Sequence, residues 1–234
     1  MSNFQESGIN FKFQSPKWNV VKYDEHLAHK KVSNALQPTK AVDFLGIHDN
    51  RQLFLVEVKN YRGHTHDAET QEVLQAKGEE LMRRIAVKVR DTIATVTNSA
   101  RFSTNDEDFF TRINQLLLDN QKKIVIIACI ELDIAGEKEH KARMSVWMQK
   151  LKQKLAWLHA AKISINPILC CLAGYGNLVR VISRQTLVTF VAGLLLVRLF
   201  LFCGFPKSKP RSNKRPGLIL FPLSFLTEVL RDEL

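Results

Sequence analysis

This sequence predicts an α/β protein with a mixed sheet flanked by helices, on three observations. AVDFLGIHDNRQLFLVEVKNY (41–61) sets two apolar runs around a polar turn. KKIVIIACIEL (122–132) is a continuous apolar run bounded by charge. Long segments of helix formers stand between and after these runs. A hairpin, a strand covered on both faces and interspersed helices together make a mixed sheet with helices packed on it.

Each element has its own justification. Residues 18–36 place Val20, Val21, Leu27, Ala28, Val32, Ala35 and Leu36 largely at helical spacing, with Asp24 as N-cap and Pro38 as the stop. Residues 41–47 and 53–59 are rich in Val, Leu, Ile and Phe, and the residues between them, 48–52, have turn chemistry. From Ala68 to about Val96, apolar residues recur at Val73, Leu74, Leu81, Ile85, Val89 and Ile93, which predicts a long helix. A second helix is predicted over 108–118, a strand over 122–132, an amphipathic helix over 141–160 and a short strand over 162–165. These elements define a first domain, residues 1–167, and leave 168–234 as a C-terminal extension.

Composition sets the class of partner. Apolar residues at 45% and charged residues at 24% suit a globular core, and 34 Lys and Arg against 23 Asp and Glu leave a net charge of +11. A basic excess favours a polyanion, either nucleic acid or an anionic membrane surface. Cys129, Cys170, Cys171 and Cys203 form no CxxC pair, so reduced thiols in a cytoplasmic protein are the simplest expectation. The first fifteen residues contain no apolar signal core, and without one the terminal Arg-Asp-Glu-Leu is not expected to act as a retention address.

The candidate site lies in the hairpin. Side chains alternate along a strand, so Glu57 and Lys59 share one face while Val56 and Val58 take the other. With the turn centred near Asn50, Asp43 stands opposite Glu57, and such partners have Cβ atoms about 4.5–5.5 Å apart. Two carboxylates that close repel unless a cation lies between them. Oxygen ligands with room for water suit Mg²⁺, or Mn²⁺, better than zinc. Lys59 is placed to hold an anionic oxygen beside that ion. The competing reading is a solvated strand face, which Leu53 and Leu55 on the same face argue against.

KAVDF followed by LFLVEVKNYR resembles the core signature of the PD-(D/E)xK nuclease superfamily, the restriction-endonuclease-like fold. It is especially similar to bacterial proteins with an EVKDYR-type strand. The resemblance spans 17 to about 165 and implies that Asp43 and Glu57 bind the divalent metal and Lys59 is the catalytic lysine. It also implies an acid from the preceding helix, Asp24 or Glu25. Val42 replaces the proline of the signature, and Asn60 stands where related strands often carry Asp. Lys88 and Arg90, in AVKVRDTIA, are candidates for phosphate-backbone contact, against the commoner alternative of a solvated helix face. His64 and His66 read as a polar loop and His48 as a turn residue.

The extension carries a different story. Residues 186–205 are twenty residues interrupted by one charge, Arg198, and followed by a basic, Pro-rich run. Twenty residues at ~1.5 Å each span a bilayer core of ~30 Å. Thirteen Leu, Val and Phe, worth about −0.3 to −0.6 kcal/mol each, outweigh the ~2.5–3.5 kcal/mol cost of Arg198. A membrane span, a buried element completing the first domain and a shifted or replaced C-terminus all remain open. Function is therefore expected to be metal-dependent phosphodiester hydrolysis, with DNA as the expected substrate. The alternatives are an inactive nucleic-acid-binding module of the same fold and a membrane-anchored interaction protein.

Overall fold

A computed structural model describes residues 2–167, apart from 14, 15, 65, 122, 134–136 and 160, together with 179–183. Residues 1–190 group as one compact unit and 191–234 as another. The second unit, and with it the apolar segment 186–205, lies outside the described residues. No helix among the described residues is long and apolar enough to cross a membrane.

The chain begins with a hairpin, β1 (Ser2–Glu6) and β2 (Ile9–Phe13), turned at Ser7-Gly8 with positive φ at both residues. Strand β3 (Trp18–Lys22) and helix α1 (Leu27–Ala35) follow. The central hairpin is β4 (Phe44–His48) and β5 (Gln52–Asn60). Next come α2 (Ala68–Phe102), α3 (Glu107–Leu118), β6 (Lys123–Glu131), α4 (Glu137–Lys154) and β7 (Lys162–Asn166). Strand β8 (Val179–Ser183) pairs antiparallel with β2, giving a three-stranded sheet ordered β1-β2-β8. The main sheet runs β3-β4-β5-β6-β7, antiparallel on its first two seams and parallel on its last two.

The sheet is mixed, as expected, but its two faces are covered differently. Leu45, Ile47, Leu53, Leu55, Ile124, Ile126 and Ile130 face the helices, where Leu81, Ile85 and Val89 of α2, Phe110 and Ile113 of α3 and Trp147 of α4 meet them. Phe44, Phe54, Val56, Val58, Val125 and Ile127 face the other way, onto Ile9, Phe11 and Phe13 of β2. Among the described residues the second layer is thus β-structure, and the buried residues of the helices that flank the sheet pack on its first face.

Two local readings change. Residues 18–22 form a strand: Trp18 and Val20 are buried and Asn19 is exposed, a period of two that the adjacent Val20-Val21 pair disguises. Helix α1 accordingly starts later, and its N-cap is His26, whose Nδ1 accepts from the Ala28 amide at 3.1 Å, in place of Asp24. The central turn is tight because Asp49 and Asn50 both take φ of 52°, a region these two residue types tolerate. Within helix α2, Lys77 and Gly78 take positive φ, and a Cβ on Gly78 would lie 2.3 Å from the Trp147 indole nitrogen. Cys129 is disulfide-bonded, against the expectation of reduced thiols, and the other three cysteines lie outside the described residues.

Candidate active site

The register of the central hairpin brings the first two acids together. Phe44 pairs with Val56 and Leu45 with Leu55, so one step further Asp43 stands across from Glu57, just beyond the last rung of β4. Asp43 continues the ladder with its side chain, its Oδ2 accepting from the Val58 amide at 2.6 Å. Its own carbonyl accepts from the Tyr23 amide at 2.8 Å, tying it to the end of β3. Helix α2 holds the approach: the Lys40 amide donates to Asp91 at 3.1 Å and the Val42 amide to Thr92 at 3.0 Å. Asp43 is therefore fixed from three directions.

Both acids are deeply buried, Asp43 at 3% and Glu57 at 1% exposure. Leaving such charges unpaired costs several kcal/mol per ion, of order. Two ammonium groups answer them. Lys59 reaches Glu57 Oε1 at 2.8 Å. Lys88, from the middle of α2, lies 3.2 Å from Asp43 Oδ1, 2.7 Å from Glu57 Oε1 and 3.0 Å from Oε2. Burial, aided by the Asp43 charge, pushes Glu57 up to about 7 in spite of Lys59 and Lys88. Burial alone would lower Lys88, but Glu57 and Asp43 outweigh it and hold the amine above its ordinary value.

A third acid completes one wall. Asp24, in the turn between β3 and α1, and Glu6, at the tip of the β1-β2 hairpin, each bring a carboxylate oxygen within 4.8 Å of Asp43 and of each other. Burial first, then the Asp43 and Glu6 charges, raise Asp24 to about 6. Its Oδ1 is buried without a hydrogen-bond partner. Glu6 is also paired with Lys22 at 2.9 Å. The site thus forms at one end of the main sheet, where the end of β3, the start of β4, the end of β5, α2 and the hairpin tip meet.

The structure separates the candidates named from sequence. Asp43, Glu57 and Lys59 converge, and Asp24 joins Asp43 from a turn preceding α1. Glu25 does not join them: its side chain is 61% exposed and bound to Lys22 at 2.6 Å. Lys88 stands at the site, on neither a solvated face nor an outward phosphate-binding one. Arg90 points elsewhere, 63% exposed and paired with Asp91 at 2.8 Å. His64 pairs with Asp67 at 2.9 Å, with both side chains exposed, and His48 packs on Trp18 with ring centroids 4.8 Å apart.

Glu6 was not legible as a site residue. Its only sequence signal is the alternation in SNFQESGINFKF, which marks a hairpin around Ser7-Gly8 and says nothing of where the tip lands. For Lys88 the signal was a cation spaced among Ile85, Val89 and Thr92 on the buried side of α2.

The acids fit a hard divalent cation. They are oxygen donors, one lone pair is already buried without a donor, and two of the carboxyl groups are shifted upward by burial first and then by neighbouring carboxylate charge, which a cation would offset. No family model, curated protein or solved structure matches this chain.

Proposed function

We propose that this protein is a metal-dependent nuclease that hydrolyses phosphodiester bonds in DNA, on a restriction-endonuclease-like fold. The observation that carries the reading is the convergence of Asp43, Glu57 and Lys59 on one face at the end of the hairpin. The PD-(D/E)xK-like signature and the hairpin's position between an acidic turn and a long helix support it. So does the net charge of +11, which suits a polyanionic substrate.

Asp43 and Glu57 are the residues to hold Mg²⁺ or Mn²⁺, with Asp24 and Glu6 completing the acidic wall. The ion supplies Lewis-acid polarisation of a phosphoryl oxygen and a more acidic water. Lys59 stands beside Glu57 to stabilise the charge that develops on the phosphate. The Val58 amide fixes one oxygen of Asp43, leaving Oδ1 toward the centre. The α2 anchors on Lys40 and Val42 keep the acid from moving away as charge accumulates.

The test is incubation of the full chain with supercoiled plasmid and with single-stranded DNA, with and without Mg²⁺. Cleavage should require the ion and be lost in Glu57→Gln and Lys59→Ala, whose near-ultraviolet circular dichroism should match the parent. Cutting by the variants at the parental rate removes the assignment. Salt-sensitive DNA binding without turnover under any divalent ion would identify an inactive binding module instead.

A further inference from the structure

We infer that Lys88 is a built-in counter-ion whose ammonium holds the place between Asp43 and Glu57 that a divalent cation takes, so that ion uptake displaces it. The inference rests on the metal-dependent reading above.

Three observations separate Lys88 from an ordinary structural ion pair. It contacts both acids, at 3.2 Å and 2.7 Å, whereas Lys59 is paired with Glu57. It comes from α2, 31 residues from Glu57 and 45 from Asp43, so it reaches the acids from a separate element and not from the hairpin that carries them. Its side chain keeps 21% exposure, against 4% and 1% for its two partners, so the amine has a way out that the carboxylates lack.

The physical consequence is an exchange. Without a cation, two carboxylate charges buried side by side repel each other and weaken the fold. The Lys88 ammonium offsets part of that penalty in the ion-free protein. A divalent ion on the same oxygens would face the ammonium at contact distance, and like charges so close in a poorly solvated site repel strongly. The four-carbon stem of lysine lets the head group swing outward while the α2 backbone stays in place. Monovalent cations offer no charge advantage over the resident ammonium, whereas Mg²⁺ and Mn²⁺ do. Lys88 thereby sets a threshold that only divalent ions pass.

The experiment is calorimetric titration of Mn²⁺ into the full-length protein, Lys88→Met and Glu57→Gln, with thermal unfolding of each. Lys88→Met should unfold at a lower temperature without the ion, bind Mn²⁺ at least ten-fold more tightly than the parent, and recover its stability on binding. Glu57→Gln should bind more weakly. In the unmodified protein, lysine acetylation read by mass spectrometry should modify Lys88 several-fold faster at saturating Mg²⁺, with exposed Lys17 unchanged. That reading also decides the matter should Lys88→Met not fold.

Equal or weaker Mn²⁺ binding by a folded Lys88→Met, or an acetylation rate at Lys88 unmoved by Mg²⁺, overturns the inference while leaving the metal site standing. Absence of Mn²⁺ binding in both the parent and Lys88→Met overturns the metal site as well.

Discussion

The two faces of the main sheet are built from alternate residues of the same strands, yet they serve opposite ends. Toward the three-stranded sheet, Phe44, Phe54, Val56 and Val58 meet Phe11, Phe13 and Trp18 in a dry aromatic layer, with Phe11 and Phe44 centroids 5.1 Å apart and Trp18 and Phe54 4.7 Å apart. Toward the helices the same strands begin apolar, with Leu53 and Leu55, and end charged, with Glu57 and Lys59. One face anchors the strands by burial that needs no partner chemistry. The other carries charges that must be matched by side chains from α2. The rigidity of the dry face allows the wet end of the other to hold its acids close.

That division can be broken from the dry side first. Phe54→Ala should cost about 3–5 kcal/mol of folding free energy, as large-to-small changes of buried aromatics do. Chemical denaturation measures the loss, and Mn²⁺ affinity of the folded fraction should stay within experimental error of the parent. On the wet side Lys59→Ala should lower kcat by about 100- to 1000-fold, the usual effect of deleting one electrostatic catalytic contact. Its melting temperature should change little, because Lys59 is 29% exposed and Lys88 still neutralises Glu57.

A smaller effect separates helix packing from the site. Gly78→Ala sets a methyl 2.3 Å from the Trp147 indole nitrogen at a φ of +71°. It should destabilise by about 2–4 kcal/mol, from left-handed strain plus overpacking, with metal affinity unaltered.

The pH response sharpens the contrast further. Asp24 rises from 3.8 to about 6 and Glu57 from 4.5 to about 7 in the folded protein. Both bind protons more tightly folded than unfolded, so their contribution favours the fold at acid pH and falls as pH climbs between those values. A divalent ion requires the deprotonated acids, so the gain in melting temperature from Mg²⁺ should be slight near about pH 5 and grow through about pH 7 to 8. Phe54→Ala should show the same dependence, and Glu57→Gln should lose most of it. The smallest effect belongs to Arg90→Ala, where an exposed pair is removed: under ~0.5 kcal/mol and no change in Mn²⁺ binding.

The legible parts of the fold were those whose signal is local. The hairpin register followed from its turn, and Asp43 opposite Glu57 followed from the register. Strand β6 announced itself as a continuous apolar run because both its faces are covered. Helix α2 was read from its 3.6-residue period, although it runs six residues beyond the predicted end. The parts missed depend on partners far along the chain. Alternation in INFKF was present, but no local feature says that this strand lies over Phe44 and Phe54. Trp18 and Val20 point inward because β4 and β2 are there to receive them. Lys88 resembles any lysine on an amphipathic helix until two acids from another element stand beside it.

The most direct test of the site is diffraction from crystals of the full chain grown with Mn²⁺, using the anomalous signal of the ion. An anomalous peak about 2.1 Å from oxygens of both Asp43 and Glu57, with the Lys88 amine withdrawn from them, is the expected result. Crystals saturated with Mn²⁺ that show no peak at these acids, with Lys88 still seated between them, would contradict it.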